Sequence, residues 1–222
     1  MQWLLPASCV LCGTASGTAA LCPPCRADLP WLPAARCPVC ALPTLDGATC
    51  GACLRKPPAF DATHCSLAYA FPLDTLLHAA KYGRRISLLP LLATLLAEHE
   101  LSAIDLVLPM PLSPARLAER GFNQSLELAR PLARHGLTIQ ADSLAKPRET
   151  PHQADLPWKA RVRNIKSAFV SHARLDGLRV LLVDDVMTTG ASLNELARVA
   201  RQAGAARVET LVLARTLPHQ AK

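Results

Sequence analysis

The chain has 222 residues, half of them hydrophobic and 4% aromatic, an ordinary globular composition that excludes a disordered or low-complexity protein. Its longest apolar stretches, such as Leu88–Ala97, are about ten residues and carry a proline, half of what a bilayer span needs. The 24 Lys and Arg against 17 Asp and Glu leave a formal charge of +7, which by itself points to a polyanionic partner.

The N-terminus, Met1–Pro6, has neither the basic n-region nor the apolar h-region of a secretory signal, so the expected setting is the cytoplasm. Eight of the nine cysteines then follow within the first 53 residues, as four Cys-x-x-Cys pairs: Cys9/Cys12, Cys22/Cys25, Cys37/Cys40 and Cys50/Cys53. Moving the first two pairs by 28 residues lands on the last two, cysteine for cysteine. One four-cysteine unit has been duplicated. The segment is rich in Pro and Gly and poor in apolar periodicity, so it needs a staple rather than a core. Two Cys-x-x-Cys pairs complete a tetrahedral sulfur site suited to Zn²⁺, and with all four positions sulfur the metal is structural. A disulfide framework would need an oxidising compartment, which the N-terminus does not support. Pairing can be sequential (first with second, third with fourth) or cross-braced (first with third, second with fourth). Eight thiolates around two Zn²⁺ lower the net charge to about +3, so the charge argues only mildly for a polyanion.

Lys56-Pro57-Pro58 reads as a linker, after which strand and helix patterns alternate. His64–Phe71 is expected as a strand, Leu73–Lys81 and Leu88–His99 as helices, and Ile104–Leu108 as a buried strand. Cys65, without a partner pair, is expected in the core. Arg116 and Arg120 share a face if their segment is helical, where they can meet an anion; otherwise they belong to a solvated basic turn. Asn123–His135 has helical spacing, and Arg179–Val183 is a second buried strand. Ala191–Gly204 is amphipathic, with Leu193, Leu196, Ala197 and Ala200 inward and Asn194, Glu195, Arg198 and Arg201 outward. Gly204 suits a C-cap, and Val208–Leu213 closes with a strand. The alternation predicts an α/β fold with a parallel sheet.

The most informative stretch runs from Val180 through Asp184, Asp185, Met187, Thr188, Thr189, Gly190 and Ala191 to Ser192. An apolar strand delivers two carboxylates, then a Thr-Thr-Gly turn opens a helix. A ligand is expected at the carboxyl end of such a strand, and the helix N-terminus favours a phosphate. Hydroxyls of Thr188, Thr189 and Ser192 add donors, and Gly190 lets the backbone approach. Asp184 and Asp185 would repel that phosphate; they suit ribose hydroxyls, directly or through Mg²⁺. The bland reading is a strand-end Asp pair beside an ordinary N-cap.

This stretch resembles the phosphoribosyl pyrophosphate (PRPP) signature of type I phosphoribosyltransferases. There the acids contact the ribose hydroxyls and the following loop holds the 5′-phosphate. The chain as a whole resembles the ComF/GntX family of competence-associated proteins. The matching pieces are Lys81-Tyr82-Gly83, Pro109-Met-Pro111, Arg120-Gly-Phe-Asn-Gln124, Thr150-Pro-His-Gln153, Arg161-x-x-Asn164 with Ala168-Phe169, and Val183-Asp-Asp-Val-x-Thr-Thr-Gly190. The resemblance implies a double zinc ribbon over residues 1–56 and a type I phosphoribosyltransferase-like domain over 57–222. It implies that Lys81–Arg84 and Pro109–Arg120 flank the pyrophosphate. Thr150–Asn164 would be a hood closing over the substrate, with Arg161 and Arg163 balancing charge; a flexible basic loop is the plainer reading. Trp158 is expected against the core rather than stacked on a base, and His152 is a candidate general base or an ordinary loop histidine.

Three functions follow. One is Mg²⁺-dependent phosphoribosyl transfer from PRPP to an unknown acceptor in DNA uptake, with Asp184 and Asp185 as the catalytic acids. Another is a module that senses PRPP or grips single-stranded DNA while its ribbons dock to DNA or a competence helicase. A transcription regulator on the same fold is a third.

Overall fold

The computed structural model describes residues 8–83, 85–99, 101, 103–147 and 167–218. Its centre is a parallel sheet of β1 (Ala62–His64), β2 (Leu67–Ala68), β3 (Leu106–Pro109), β6 (Arg179–Met187) and β7 (Arg207–Arg215). The order is β1-β7-β6-β3, with β2 following β1 along the same edge of β7. Val180–Val183 are fully buried, as an apolar run must be when both faces of a parallel sheet are covered. β4 (Leu144–Ala145) and β5 (Val170–Ser171) form a small antiparallel pair to one side.

α3 (Leu73–Lys81), α4 (Leu89–Ala97) and α6 (Gln124–Ala129) cover one face, and Leu73, Leu76, Leu92, Leu96 and Leu128 form its core. α7 (Ala191–Gln202) packs on the other through Leu193, Leu196, Ala197 and Ala200. Each buried leucine contributes about 1.5–3 kcal/mol. Gly204 follows the C-cap of α7 with φ of +105°, where a Cβ would strike Asp176.

Several boundaries differ from the sequence pattern. The stretch from His64 to Phe71 is not one strand. β1 begins at Ala62, and the chain breaks at Cys65–Ser66, where Leu32 donates to the Ser66 carbonyl and Ala68 donates to Pro30. Cys65 is fully buried as expected. A 3₁₀ turn, Ile86–Leu88, precedes α4, which stops at Ala97. Asn123–His135 is α6 followed by 3₁₀ turns over Arg130–His135, tightened by Pro131. β6 runs on to Met187, so Asp184 and Asp185 lie within the ladder, with Asp184 paired to Val212. Glu195 is buried, not outward: it accepts from Ser167 N at 2.7 Å and pairs with Arg198 at 2.7 Å.

Residues 8–55 form two ribbons with short helices α1 (Pro23–Ala27) and α2 (Gly51–Arg55) at equivalent points. The duplication extends to the knuckle hydrogen bonds. Cys9 N donates to Thr14 O and Cys37 N to Leu42 O, both at 2.8 Å. Ser8 bridges Ala15, and Arg36 bridges Pro43.

Candidate functional site

The carboxyl ends of β3, β6 and β7 meet the C-terminus of α3 at one edge of the sheet. α5 (Pro114–Arg120) starts on Ser113, whose Oγ accepts from Arg116 N, and ends at Gly121 with φ of +77°. The chain can then turn into Asn123, which caps α6 by accepting from the amides of Ser125 (2.9 Å) and Leu126 (3.3 Å). Asn123 Nδ2 also donates to Met110 O (3.0 Å), tying α6 to the loop after β3. This places Ser125 so that its hydroxyl donates to Asp184 Oδ1 at 3.0 Å.

Each acid is also held by the next amide: Asp185 N donates to Asp184 Oδ1 (2.9 Å) and Val186 N to Asp185 Oδ1 (2.7 Å). Lys81, the last residue of α3, pairs with Asp185 Oδ2 at 2.5 Å. Asp185 is buried, and that oxygen has no hydrogen-bonding partner besides the ammonium among the described residues. Burial, then the charge of Asp185, pushes the Asp184 pKa up to about 7. Burial lowers Lys81, but Asp185 outweighs it and holds the ammonium above its usual value. Two adjacent carboxylates with oxygens still to satisfy fit a hard divalent cation or the hydroxyls of a sugar.

Beyond Met187 the chain turns through Thr188 and Thr189 to Gly190, the N-cap of α7, at φ +77°. A Cβ there would lie 3.7 Å from Met187 Sδ and 3.9 Å from Phe60. Thr189 Oγ1 accepts from Ala191 N (3.1 Å), and its proton remains a donor. Thr188 is exposed, and Thr189–Ser192 are half-buried. Met187 is buried, so its side chain belongs to the core and only its backbone serves the turn.

In the N-terminal ribbons Cys9, Cys12, Cys22 and Cys25 bring their sulfurs within 4.8 Å of one another, and so do Cys37, Cys40, Cys50 and Cys53. Pairing is therefore sequential. Cys12–Cys22 and Cys40–Cys50 are each 3.7 Å apart. Four sulfurs about 2.3 Å from one Zn²⁺ would be separated by about 3.8 Å, so the cradle fits. Against burial, the amides of Cys12, Cys22 and Leu11 draw the Cys9 pKa down to about 6, while the sulfurs of Cys12 and Cys22 hold Cys25 well above its usual value; four thiolates this close need a cation among them.

Comparison with known proteins agrees with both parts. Residues 1–54 match the double zinc ribbon domain, and 126–221 match the phosphoribosyl transferase domain. The DNA utilization protein YhgH of Salmonella typhi is 37% identical over 158 residues, 67% of this chain and 70% of that protein. Competence protein F of Haemophilus influenzae is 33% identical over 159 residues, 66% of this chain and 69% of that protein. The chain belongs to the ComF family. The purine phosphoribosyltransferase structure from Pyrococcus horikoshii aligns over 69% of this chain and 77% of its own, at 17% identity and a TM-score of 0.34.

Of the positions singled out by the ComF resemblance, the structure brings Lys81, Asp184 and Asp185 together and sets the 187–192 turn directly after them. Arg120 stands over the Tyr82 ring (5.3 Å) and reaches its hydroxyl (3.3 Å), beside Lys81. Arg116 lies one turn earlier on α5, and its side chain has no hydrogen-bond or ion-pair partner among the described residues. Arg84, His152, Trp158, Arg161 and Arg163 lie outside the described residues, as does all of Thr150–Asn164. Sequence reasoning missed Ser125, and it quoted Tyr82 within Lys81-Tyr82-Gly83 without giving that ring a role of its own. Ser125 stands one residue beyond the quoted Arg-Gly-Phe-Asn-Gln piece, and reading Asn123 as a helix N-cap would have placed it in the first turn of α6. No helix among the described residues is long and apolar enough to cross a membrane.

Proposed function

We propose that this protein binds PRPP with Mg²⁺ and transfers its phosphoribosyl group to an acceptor used in DNA uptake or utilization. The reading rests on one juxtaposition: Asp184 and Asp185 beside Lys81, followed at once by a turn whose Gly190 admits close backbone approach to a helix N-terminus. Asp184 and Asp185 would hold the ribose hydroxyls, and Ser125 would fix the first acid. Residues 187–192 would take the 5′-phosphate. Lys81, Arg116, Arg120 and Arg161 would face pyrophosphate as it leaves. Mg²⁺, bound with PRPP, would supply charge neutralisation at the leaving group. The relatives' names support the DNA setting, and thiolate zinc sites support a reducing compartment, the cytoplasm.

Calorimetric titration with PRPP, with and without Mg²⁺, tests the reading. Micromolar binding that falls at least a hundredfold in Asp184→Asn and Asp185→Asn is expected. Unchanged affinity in both variants would remove the site. Pyrophosphate release with a panel of nucleobases, amines and oligonucleotides then tests turnover.

A second reading is favoured by the Arg120–Tyr82 stack: an exposed aromatic with an arginine beside an acid pair suits a base and its backbone phosphate. On that reading PRPP is sensed, single-stranded DNA is gripped, and the ribbons dock a helicase. PRPP binding without turnover, together with salt-dependent DNA binding, would select it.

A further inference from the structure

The second four-cysteine cluster meets the rest of the molecule through its backbone as well as through Val39 and Ala41 in the core. Three successive carbonyls of its first knuckle are taken by the sheet. Pro38 O accepts from Thr63 N (3.0 Å), Val39 O from Thr63 Oγ1 (2.6 Å), and Cys40 O from Arg215 Nε (2.9 Å). Arg215 ends β7 and is 5% exposed. Its Nη1 reaches the carbonyls of Met187 (2.8 Å), Thr188 and Thr216 (3.0 Å). One guanidinium thus joins a metal-ligating cysteine to the two residues that open the 187–192 turn. Thr216 N adds a bond to Met187 O at 3.1 Å.

The linker after this ribbon closes the same corner. Phe60 is buried beneath Gly190, and Ala59 N donates to Asn194 Oδ1 (2.7 Å) in the first turn of α7. A buried guanidinium also needs a counter-charge. Among the described residues no carboxylate lies within ion-pair distance of Arg215; its partners are all carbonyls. The adjoining four-sulfur site supplies that charge, since four thiolates around one Zn²⁺ carry about −2. Carbonyls of a polarised knuckle and a charge of the right sign make the contact worth more when the metal is present.

We propose that Arg215 is a positioning residue that couples zinc at Cys37, Cys40, Cys50 and Cys53 to the 187–192 turn, which keeps its phosphate-receiving shape only while that metal is bound. The functional half of this inference rests on the reading of 187–192 as a phosphate loop; the structural half does not. The first ribbon's metal site has no part in it.

The test uses the full chain. Zinc content, hydrogen–deuterium exchange over residues 187–194 and 215–217, and PRPP affinity by calorimetry are measured for wild type, Arg215→Met, Arg215→Lys, Cys50→Ser and Leu21→Ala. Arg215→Met should retain both zinc ions. The amides of Ala191, Asn194 and Thr216 should exchange at least tenfold faster, and PRPP should bind at least tenfold more weakly. Cys50→Ser should lose one zinc and reproduce both effects. Arg215→Lys keeps the charge but spans fewer carbonyls, and should fall between; it decides the matter if the Met variant does not fold. Leu21→Ala loosens the first ribbon and should leave 187–194 unchanged. Unchanged exchange in Arg215→Met, or equal responses to Leu21→Ala and Cys50→Ser, overturns the coupling. If the turn responds to Arg215 but wild type binds no PRPP, the coupling stands and the phosphate reading falls. If PRPP binds alike to every variant, the coupling falls and the phosphate reading stands.

Discussion

The two ribbons share their cysteine spacing, their knuckle hydrogen bonds and their short helices, yet they are built into the molecule in different ways. The first is joined by side chains. Cys9, Leu21, Cys22 and Leu29 enter the core shared with α3 and α4. Arg26 pairs with Glu98 just past α4 (2.7 Å), and its guanidinium lies over Trp31 (5.4 Å). The second is joined chiefly by carbonyls, at Pro38, Val39 and Cys40, with only the small side chains of Val39 and Ala41 reaching the core under α7, and its contacts lead to the turn after β6. A duplicated unit thus keeps its inside, which the metal dictates, while its outside diverges. The first copy serves as a wedge of core, and the second as a brace for the candidate site.

The largest expected effect separates the copies by packing. Leu21 is buried at 6% exposure, and its counterpart 28 residues on is Thr49, half-buried with no side-chain hydrogen bond among the described residues. Leu21→Ala should cost about 2–4 kcal/mol, the usual range for a core leucine. Thr49→Ala should stay within about 0.5 kcal/mol. Chemical denaturation of the zinc-loaded protein measures both. Equal losses would mean that the two copies are anchored alike.

What the sequence revealed follows the same division. The four-cysteine duplication and the α3 boundaries were legible because ligand spacing and apolar periodicity are written in side chains. The Asp-Asp-x-x-Thr-Thr-Gly run was legible because a strand, two acids and a glycine turn are a pattern of residue types. The end of β6 was misjudged because polar residues at a sheet edge still pair through their backbone, which carries no sequence mark. The break at Cys65–Ser66 was hidden for the same reason: the ribbon, distant in sequence, supplies the hydrogen bonds there. Arg215 drew no reading at all, since it lies beyond the expected strand end at Leu213 and its partners are carbonyls. Glu195 looked like solvent-facing helix until the chain near Ser167 covered it.

A middle-sized effect tests whether brace and acids act separately. The turn is held from the second ribbon, whereas Asp184 is held by Ser125 and the amide of Asp185. Burial, then the neighbouring charge, raises Asp184 to about 7, so the folded protein binds this proton more tightly than the unfolded chain. Through this group, native stability falls as pH rises from the ordinary carboxylate value near 3.8 towards about 7. Ribose hydroxyls and Mg²⁺ both prefer the carboxylate, so binding expels the proton. PRPP affinity should therefore rise about tenfold between pH 6 and pH 8, or about 1.4 kcal/mol. Arg215→Met should lower affinity at every pH and leave the shape of the profile intact. A flat profile in wild type would show that Asp184 is already ionised at pH 6.

The smallest effect, at Ala41, lies inside the duplicated knuckle. Gly13 and Ala41 occupy equivalent positions, and both adopt the left-handed backbone, at φ +77° and +58°. A non-glycine residue there costs about 1–2 kcal/mol. At Ala41 the methyl is wholly buried, and its burial returns about 0.8 kcal/mol. Ala41→Gly should therefore shift stability by less than about 1 kcal/mol, because strain relief and lost burial oppose each other. At Gly13 an added Cβ meets nothing within 4 Å, so Gly13→Ala gains no burial and should cost the full strain, about 1–2 kcal/mol. Zinc content should stay at two in both variants. If Gly13→Ala proves as harmless as Ala41→Gly, the left-handed turn in the first ribbon is not fixed by its metal, and the two knuckles are alike in sequence only.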